Sequence, residues 1–175
     1  MLVRNPRVSG HVGRISTQTA LAILVLALLC SCARAEAVRL VRVIDGDSLL
    51  VELAGRREEV RLIGIDAPEG RQEFGARSRG HVAELCRGQT LRLEFDTQRR
   101  DRYGRLLAYL FAGELMVNEE LVRSGLALAL PVRPNTAHAG RLARAEAEAR
   151  EAGRGFWVQG GLKLTPAQWR KRHGR

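Results

Sequence analysis

The stretch Arg61-Leu-Ile-Gly-Ile-Asp66-Ala-Pro-Glu69 places one guanidinium and two carboxylates at the end of an apolar run. The apolar run predicts a buried strand, and the Ala-Pro pair marks its end, because a proline restricts the backbone of the residue before it. A buried strand has no use for three charged side chains where it leaves the core. The stretch therefore predicts a site that handles charge at the exit of a core strand.

Two further charged segments are candidates for the same site. Asp45-Gly-Asp47-Ser48 lies upstream at a predicted turn, and Asp101-Arg-Tyr-Gly-Arg105 lies downstream. Two carboxylates can hold a cation, two arginines can hold a phosphate, and Glu69 is left to orient or deprotonate a water molecule. Together these groups are what a phosphodiesterase needs.

Such a site requires the predicted strand to bend. Arg61 and Asp66 are five residues apart, so an ideal strand would direct them to opposite faces. Gly64 lies between them and suits a twist or a bulge, since glycine within a strand often marks such a point. A glycine that makes room for a packed neighbour is an equally good explanation.

The remaining sequence predicts a small α+β fold. Apolar alternation and turn residues place five strands at 38–44, 48–53, 57–65, 91–95 and 106–111. Apolar residues at helical spacing place three helices at 72–86, 116–124 and 136–152. Thr165-Pro166 suits the start of one more short helix, because threonine caps helices and proline fits their first turn. Five short strands with a helix between the third and the fourth predict a five-stranded OB-type β-barrel with about three helices.

The first 35 residues predict a secretory signal peptide. Arg4, Arg7 and Arg14 precede an acid-free apolar run over 20–30, which leads into Ala33-Arg-Ala35. The run is shorter than the roughly 20 apolar residues of a membrane span. Cleavage after residue 35 would give an exported protein, periplasmic or secreted, with no stable membrane association. A lipoprotein and an uncleaved N-terminal anchor are the alternatives.

Residues 36–160 are expected to form one monomeric domain, followed by a basic extension over 161–175. The tail from Arg170 to Arg175 is expected to be solvated or to contact nucleic acid. Leaving out the four arginines of the leader lowers the net charge from +10 to +6, which permits a polyanionic partner without proving one. Cys86 is then the single cysteine, so the fold has no internal disulfide and depends on packing.

Three separated blocks resemble the staphylococcal nuclease (thermonuclease) family. They are Val43-Ile-Asp-Gly-Asp-Ser48, Arg61 to Glu69, and Asp101-Arg-Tyr-Gly-Arg105 with the Leu106-Leu-Ala-Tyr109 that follows. Val117-Asn118-Glu-Glu-Leu-Val-Arg123 adds a structural match, and the resemblance covers nearly the whole chain after the leader. One block alone would be weak, because Asp-Gly-Asp is a common turn. All three in order, on a matching strand pattern, are specific.

The resemblance implies an OB-fold nuclease that uses calcium to cleave DNA and RNA with little sequence specificity, leaving 3′-phosphate ends. The implied calcium ligands are the carboxylates of Asp47 and Asp66 and the backbone carbonyl of Ala67. Family members usually carry threonine at the position of Ala67, and alanine keeps the carbonyl. Asp45 and Asp47 can also stabilise the turn, and Asp45 is expected to support the site only indirectly.

The resemblance also implies three catalytic residues, which are Arg61, Glu69 and Arg105. The glutamate would be the general base or would position water, and the two arginines would bind the phosphate. A purely structural explanation exists for each arginine. Arg61 could pair with Glu59 or Glu94, and Arg105 could pair with Asp101.

Two departures from the family pattern affect substrate contacts rather than the implied catalytic groups. The loop Gly70–Glu73 is brief where the family often has a longer, lysine-rich one. Residues 128–133 contain no aromatic where the family has two tyrosines near the base, so weaker base affinity is expected. Asp101 and Tyr103 are expected to shape their loop. The rival functions are a non-catalytic nucleic-acid-binding module and an exported OB-fold protein that binds a peptide, a sugar or a protein.

Overall fold

Residues 35–174 are the part of the chain that the computed structural model describes. The predicted signal peptide lies outside this range, except for Ala35, which is the first residue of the first strand. Cleavage and export therefore stay predictions. Within this range, no helix is both long enough and apolar enough to cross a membrane.

Five of the strands close into a barrel. The strands of residues 35–174 are β1 (Ala35–Val43), β2 (Ser48–Leu53), β3 (Arg56–Leu62), β4 (Gly64–Asp66), β5 (Leu91–Arg100), β6 (Leu106–Ala112), β7 (Leu115–Met116) and β8 (Leu128–Leu130). Antiparallel pairing joins β3, β2, β1, β5 and β6 in that order, and a parallel pairing of β3 with β6 closes the ring. This closed mixed barrel confirms the predicted five-stranded OB-type fold.

Four α-helices pack around the barrel in the described part of the chain. They are α1 (Gly75–Cys86), α2 (Val117–Arg123), α3 (Ala139–Glu151) and α4 (Pro166–Arg172), and Gly155–Gln159 add a short 3₁₀ helix. α1 lies between the third and fourth barrel strands, as predicted. α4 forms where the sequence predicts a short helix, and Thr165 and Gln168 make a capping box at its start.

The burial of β5 follows its sequence pattern only as far as Phe95. Residues 91–95 alternate between buried and half-buried, as their apolar alternation predicts. The strand then continues to Arg100, beyond the predicted end. Residues 96–100 are polar and carry no alternation, but the side chain of Asn135 hydrogen bonds to the backbone N–H and carbonyl of Gln98 and holds this extension.

The predicted strand at 57–65 is two strands with a bend between them. β3 ends at Leu62, and β4 begins at Gly64, which has a φ of 79°. β4 leaves the barrel and pairs with β8. Both explanations offered for Gly64 hold: its φ is in the left-handed region, and a Cβ there would lie 2.5 Å from Leu142 Cδ1.

Candidate active site

The turn between β1 and β2 fixes the position of Asp47. Asp45 Oδ1 accepts a hydrogen bond from the Asp47 N–H at 3.0 Å, so Asp45 stabilises the turn. The Asp47 carbonyl accepts from the Leu62 N–H at 2.7 Å, which ties the turn to the end of β3. Ser48 Oγ donates to Asp47 Oδ1 at 3.1 Å. The Asp47 carboxylate is therefore buried and oriented beside the exit of β3.

The bend at Gly64 brings Asp66 to the same edge of the barrel as Asp47. The Ala67 N–H donates to Asp47 Oδ2 at 2.8 Å, which joins the two loops directly. Both aspartates are nearly inaccessible to solvent. The structure thus brings the two predicted carboxylate ligands together, and the role of the Ala67 carbonyl stays a prediction.

Arg61 lies between the two aspartates. Its Nη2 is 3.1 Å from Asp47 Oδ2 and 3.6 Å from Asp66 Oδ1. The guanidinium also donates to the carbonyl of Leu62 and, at 2.9 Å, to the carbonyl of Ile65. These two carbonyls lie on either side of the bend in the strand. The bend therefore both places Asp66 and orients the arginine.

Burial governs the protonation of Asp47. It raises the pKa of the Asp47 carboxyl to about 7, although the Arg61 guanidinium opposes the rise. The ionised form is thus disfavoured in the folded protein even with one arginine beside it. A further cation near Asp47 would favour the ionised carboxylate.

Arg105 faces the same edge from the loop between β5 and β6. Its Nε donates to Asp101 Oδ2 at 2.8 Å, and its Nη1 is 3.9 Å from Glu59 Oε1. Burial acts to raise the pKa of Asp101, but hydrogen bonds from Arg105 and the loop backbone outweigh it and hold the pKa below its ordinary value. The pair considered for Arg105 therefore forms, whereas Arg61 pairs with the two aspartates rather than with Glu59 or Glu94.

Glu69 lies on a short loop that Gln72 holds in place. The Glu69 N–H donates to Gln72 Oε1 at 3.2 Å, and the Gln72 N–H donates to the Glu69 carbonyl at 2.8 Å. Gln72 Nε2 donates in turn to the Leu164 carbonyl at 2.7 Å. The loop at Gly70–Glu73 is therefore tied to the segment that leads into α4.

One open cleft of about 550 Å³ gathers side chains from these separate segments. Four of the predicted site residues line it, which are Asp47, Arg61, Glu69 and Arg105. Asp66 adjoins them through its contact with Arg61. The structure thus assembles one site from the three sequence blocks.

Arg170 of α4 also lines this cleft, although no pattern in the sequence predicts it there. Its Nη1 donates to Asp66 Oδ1 and to Glu69 Oε1, both at 3.0 Å, and its Nη2 donates to Asp66 Oδ2 at 3.2 Å. Burial acts to lower the pKa of Arg170, but these hydrogen bonds outweigh it and raise the pKa above its ordinary value. The expectation of a solvated tail is therefore wrong for Arg170.

Asn118 is a positioning residue that sequence reasoning treated only as part of a structural match. It is fully buried; its Nδ2 donates to the Ile63 carbonyl and its Oδ1 accepts from the Leu110 N–H, both at 2.9 Å. The first bond satisfies the carbonyl immediately after the end of β3, and the second satisfies an N–H of β6. Asn118 therefore fixes the bend that brings Asp66 to Arg61.

The donor set at the cleft suits a hard divalent cation. Asp47 and Asp66 offer carboxylate oxygens, which calcium and magnesium prefer as ligands. Among residues 35–174, no three His, Cys, Asp or Glu side chains are grouped so as to hold a metal ion by themselves. A cation held by the two aspartates would therefore need backbone, solvent or substrate oxygens as well.

Fold and cleft together define a class of protein: a small OB-type barrel with a phosphodiesterase-type site at one edge. The cleft combines the buried Asp47, with Asp66 beside it, the guanidiniums of Arg61, Arg105 and Arg170, and the carboxylate of Glu69. The two aspartates suit a cation, and Arg61 and Arg105 suit a phosphate.

Comparison with known proteins identifies the family. The family model described as "Staphylococcal nuclease homologue" matches residues 59–159. The chain is 36% identical over 133 residues to a thermonuclease of Staphylococcus hyicus, an alignment that covers 73% of this chain and 79% of that protein. It is 36% identical over 132 residues to endonuclease YncB of Bacillus subtilis, covering 71% of this chain and 63% of that protein. The chain belongs to the staphylococcal nuclease family and is a nuclease.

Replacing Gly46 with alanine is expected to displace the turn that carries Asp47. A Cβ at Gly46 would lie 1.9 Å from Ser78 Oγ and 2.7 Å from Ala67 Cβ. We expect thermal denaturation to give a loss of about 1–3 kcal/mol in the free energy of unfolding, with a fall in nuclease activity. Gly80→Ala is the control, because a Cβ there meets nothing within 4 Å. A Gly46→Ala protein that matches wild type in both measurements would contradict the role given to this close contact.

Proposed function

We propose that the chain is an exported, calcium-dependent nuclease that hydrolyses DNA and RNA with little sequence specificity and leaves 3′-phosphate ends. The observation that supports this most strongly is the meeting of Asp47, Asp66, Arg61, Glu69 and Arg105 at one cleft. They come from three segments that are far apart in the sequence. The barrel alone gives no reason for these five groups to coincide.

Arg61 and Arg105 bind and stabilise the phosphate. Attack on a phosphodiester builds negative charge on the phosphoryl oxygens, and cations already aimed at that charge are usually the largest catalytic term. Arg61 is oriented by two backbone carbonyls and Asp47, and Arg105 is oriented by Asp101. Both guanidiniums are therefore in place before the substrate arrives.

Glu69 acts on the attacking water. The water oxygen forms a bond to phosphorus as one water proton passes to the Glu69 carboxylate. The bond between phosphorus and the 5′ oxygen breaks, that oxygen takes up a proton from solvent, and Glu69 then returns its own proton to solvent. One product then ends in a 3′-phosphate and the other in a 5′-hydroxyl. The hydrogen bonds between Glu69 and Gln72 support this role because they fix the glutamate backbone.

Asp47, Asp66 and the Ala67 carbonyl would hold the calcium ion. When bound, the ion supplies positive charge beside the phosphate and a fixed place for one phosphate oxygen. The burial of both aspartates at one edge of the barrel supports this assignment, because the pair offers oxygen ligands to a hard cation and Arg61 is the basic side chain paired with Asp47.

A groove beside the cleft suits the bases of a single strand. It has a volume of about 410 Å³, and Leu130, Val132, Arg133 and Tyr103 are among its lining residues. Tyr103 was expected only to shape its loop, but its side chain is 69% exposed. Every base has a face that can stack on a tyrosine ring, so this contact carries little sequence information. The groove therefore supports broad specificity.

Tyr103→Ala is expected to raise KM for single-stranded DNA by about 5- to 150-fold, since stacking contributes roughly 1–3 kcal/mol per base. The turnover number should change little, because Tyr103 is given no part in the reaction. Tyr103→Phe is the control, since it keeps the ring. Steady-state kinetics measure both constants, and equal KM values for wild type and Tyr103→Ala would remove the tyrosine from substrate binding.

The proposed reaction is tested by incubating the purified full chain with DNA and with RNA in calcium. We expect acid-soluble nucleotides from both substrates. DNA products with 3′-phosphates should resist extension by a polymerase until a phosphatase has removed the phosphate. Products that are extended without phosphatase would contradict the proposed bond cleavage, and the absence of soluble products would contradict the nuclease itself.

Export is supported by the basic and apolar composition of residues 1–35 and by the A-x-A pattern at its end. In this proposal the mature protein begins at Glu36 and acts on nucleic acid outside the cytoplasm as a monomer. N-terminal sequencing of the protein recovered from the periplasm or the medium tests the cleavage point. Recovery in the cytoplasm with residues 1–35 intact would contradict it.

A further inference from the structure

A guanidinium from outside the matched family region contacts the carboxylates of the proposed active site. Arg170 lies beyond residues 59–159, and it hydrogen bonds to Asp66 and Glu69. We propose that Arg170 belongs to the site as a competitor of the divalent cation, which must displace it in order to bind Asp66. This inference rests on the proposed function, because it assumes that Asp66 is a cation ligand.

Arg170 occupies the carboxylate of Asp66 that the proposed cation would use. Arg170 uses both carboxylate oxygens of Asp66, with nitrogens 3.0 and 3.2 Å away, and it bridges to Glu69 at 3.0 Å. Calcium binds carboxylate oxygens at about 2.3–2.6 Å. A calcium ion at these oxygens would bring a further positive charge close to the guanidinium, so each lowers the affinity of the site for the other.

Arg170 is the arginine that gives way, rather than Arg61. The guanidinium of Arg61 is also held by the carbonyls of Leu62 and Ile65, and its side chain is 18% exposed. The hydrogen bonds of the Arg170 guanidinium go to Asp66 and Glu69, and its side chain is 33% exposed. A cation bound to Asp66 would thus replace the hydrogen bonds that Arg170 makes with this carboxylate. The hydrogen bonds from Arg61 to the two backbone carbonyls would remain.

The helix that carries Arg170 is anchored by other contacts. Its capping box joins Thr165 and Gln168, Pro166 is buried, and the Leu164 carbonyl accepts from Gln72. Displacement of Arg170 therefore requires movement of one side chain into the open cleft, and α4 can stay docked.

The test is calcium binding by isothermal titration calorimetry on the full chain without nucleic acid. Arg170→Ala should bind calcium more tightly than wild type by on the order of tenfold, since hydrogen bonds between charged groups carry most of the competition. Lys171→Ala is the matched control, because it removes the same charge from the neighbouring position of α4. It should leave the affinity close to that of wild type.

Two further variants separate the possible failures. Arg170→Gln keeps most of the side-chain length and should also tighten calcium binding, so it replaces the alanine variant if circular dichroism shows that variant to be misfolded. Asp66→Asn should weaken binding, and wild-type affinity in this variant would refute the proposed cation site itself. Asp66→Asn can weaken calcium binding while Arg170→Ala binds calcium no more tightly than wild type or Lys171→Ala. That result would refute the competitor role of Arg170 but not the cation site at Asp66.

Discussion

Glu69→Gln is expected to lower kcat for DNA hydrolysis by about 10²–10⁴-fold, the usual contribution of a general base. Glutamine keeps the shape of the side chain and an oxygen that can accept from Arg170, so the hydrogen bond that Glu69 now receives is retained in kind. It cannot take a proton from water. The loss should therefore appear in the chemical step, measured as kcat at saturating DNA and calcium.

The matched control for this variant is Glu73→Gln, a glutamate four residues further along the same segment. Its carboxylate accepts a hydrogen bond from Gln159 and does not line the cleft. Wild-type rates in Glu73→Gln together with unchanged thermal denaturation of both variants would assign the loss to the reaction. Wild-type turnover in Glu69→Gln would remove this glutamate from the mechanism.

Arg105→Ala is expected to lower kcat by about 10²–10³-fold, as is typical when one preorganised group is removed from a developing charge. Stability should change little, because the ion pair with Asp101 is partly exposed and such pairs contribute about 0–1 kcal/mol. Asp101 also keeps the backbone N–H donors of its loop. Steady-state kinetics and thermal denaturation, measured on the same preparations, separate the two effects.

Arg39→Ala is the control for Arg105, because Arg39 makes an ion pair on the surface of the barrel. Its guanidinium donates to Glu52 Oε2 at 2.5 Å, and it does not line the cleft. We expect Arg39→Ala to keep nearly the full rate. Equal losses in the two variants would mean that general positive charge, rather than a directed phosphate contact, accounts for the effect of Arg105.

The sequence predicted the barrel and most of the site because both leave local patterns. Strand alternation and turn residues mark the barrel strands, and Asp47, Arg61, Asp66, Glu69 and Arg105 stand out as charges beside apolar runs. The bend expected near Gly64 is also confirmed, since a strand that must present both an arginine and an aspartate to one edge has to bend. The structure places that bend immediately before Gly64.

Other features depend on contacts that no local pattern records. The extension of β5 to Arg100 is held by Asn135, and the bend before β4 is held by Asn118. Arg170 looks in the sequence like any arginine of a basic tail, and only the docking of α4 brings it to Asp66. A run of basic residues usually indicates a solvated surface. Composition therefore cannot show that one arginine of the run makes a directed contact in the folded protein.

We propose that this cleft hydrolyses phosphodiesters with a cation held between Asp47 and Asp66. The decisive measurement is the rate of DNA hydrolysis as a function of free calcium, for wild type and for Asp66→Asn. We expect no hydrolysis by wild type in excess chelator, a saturable rise with calcium, and a rate near background for Asp66→Asn over the same range. Equal wild-type rates in chelator and in calcium, or a normal calcium response in Asp66→Asn, would refute the proposal.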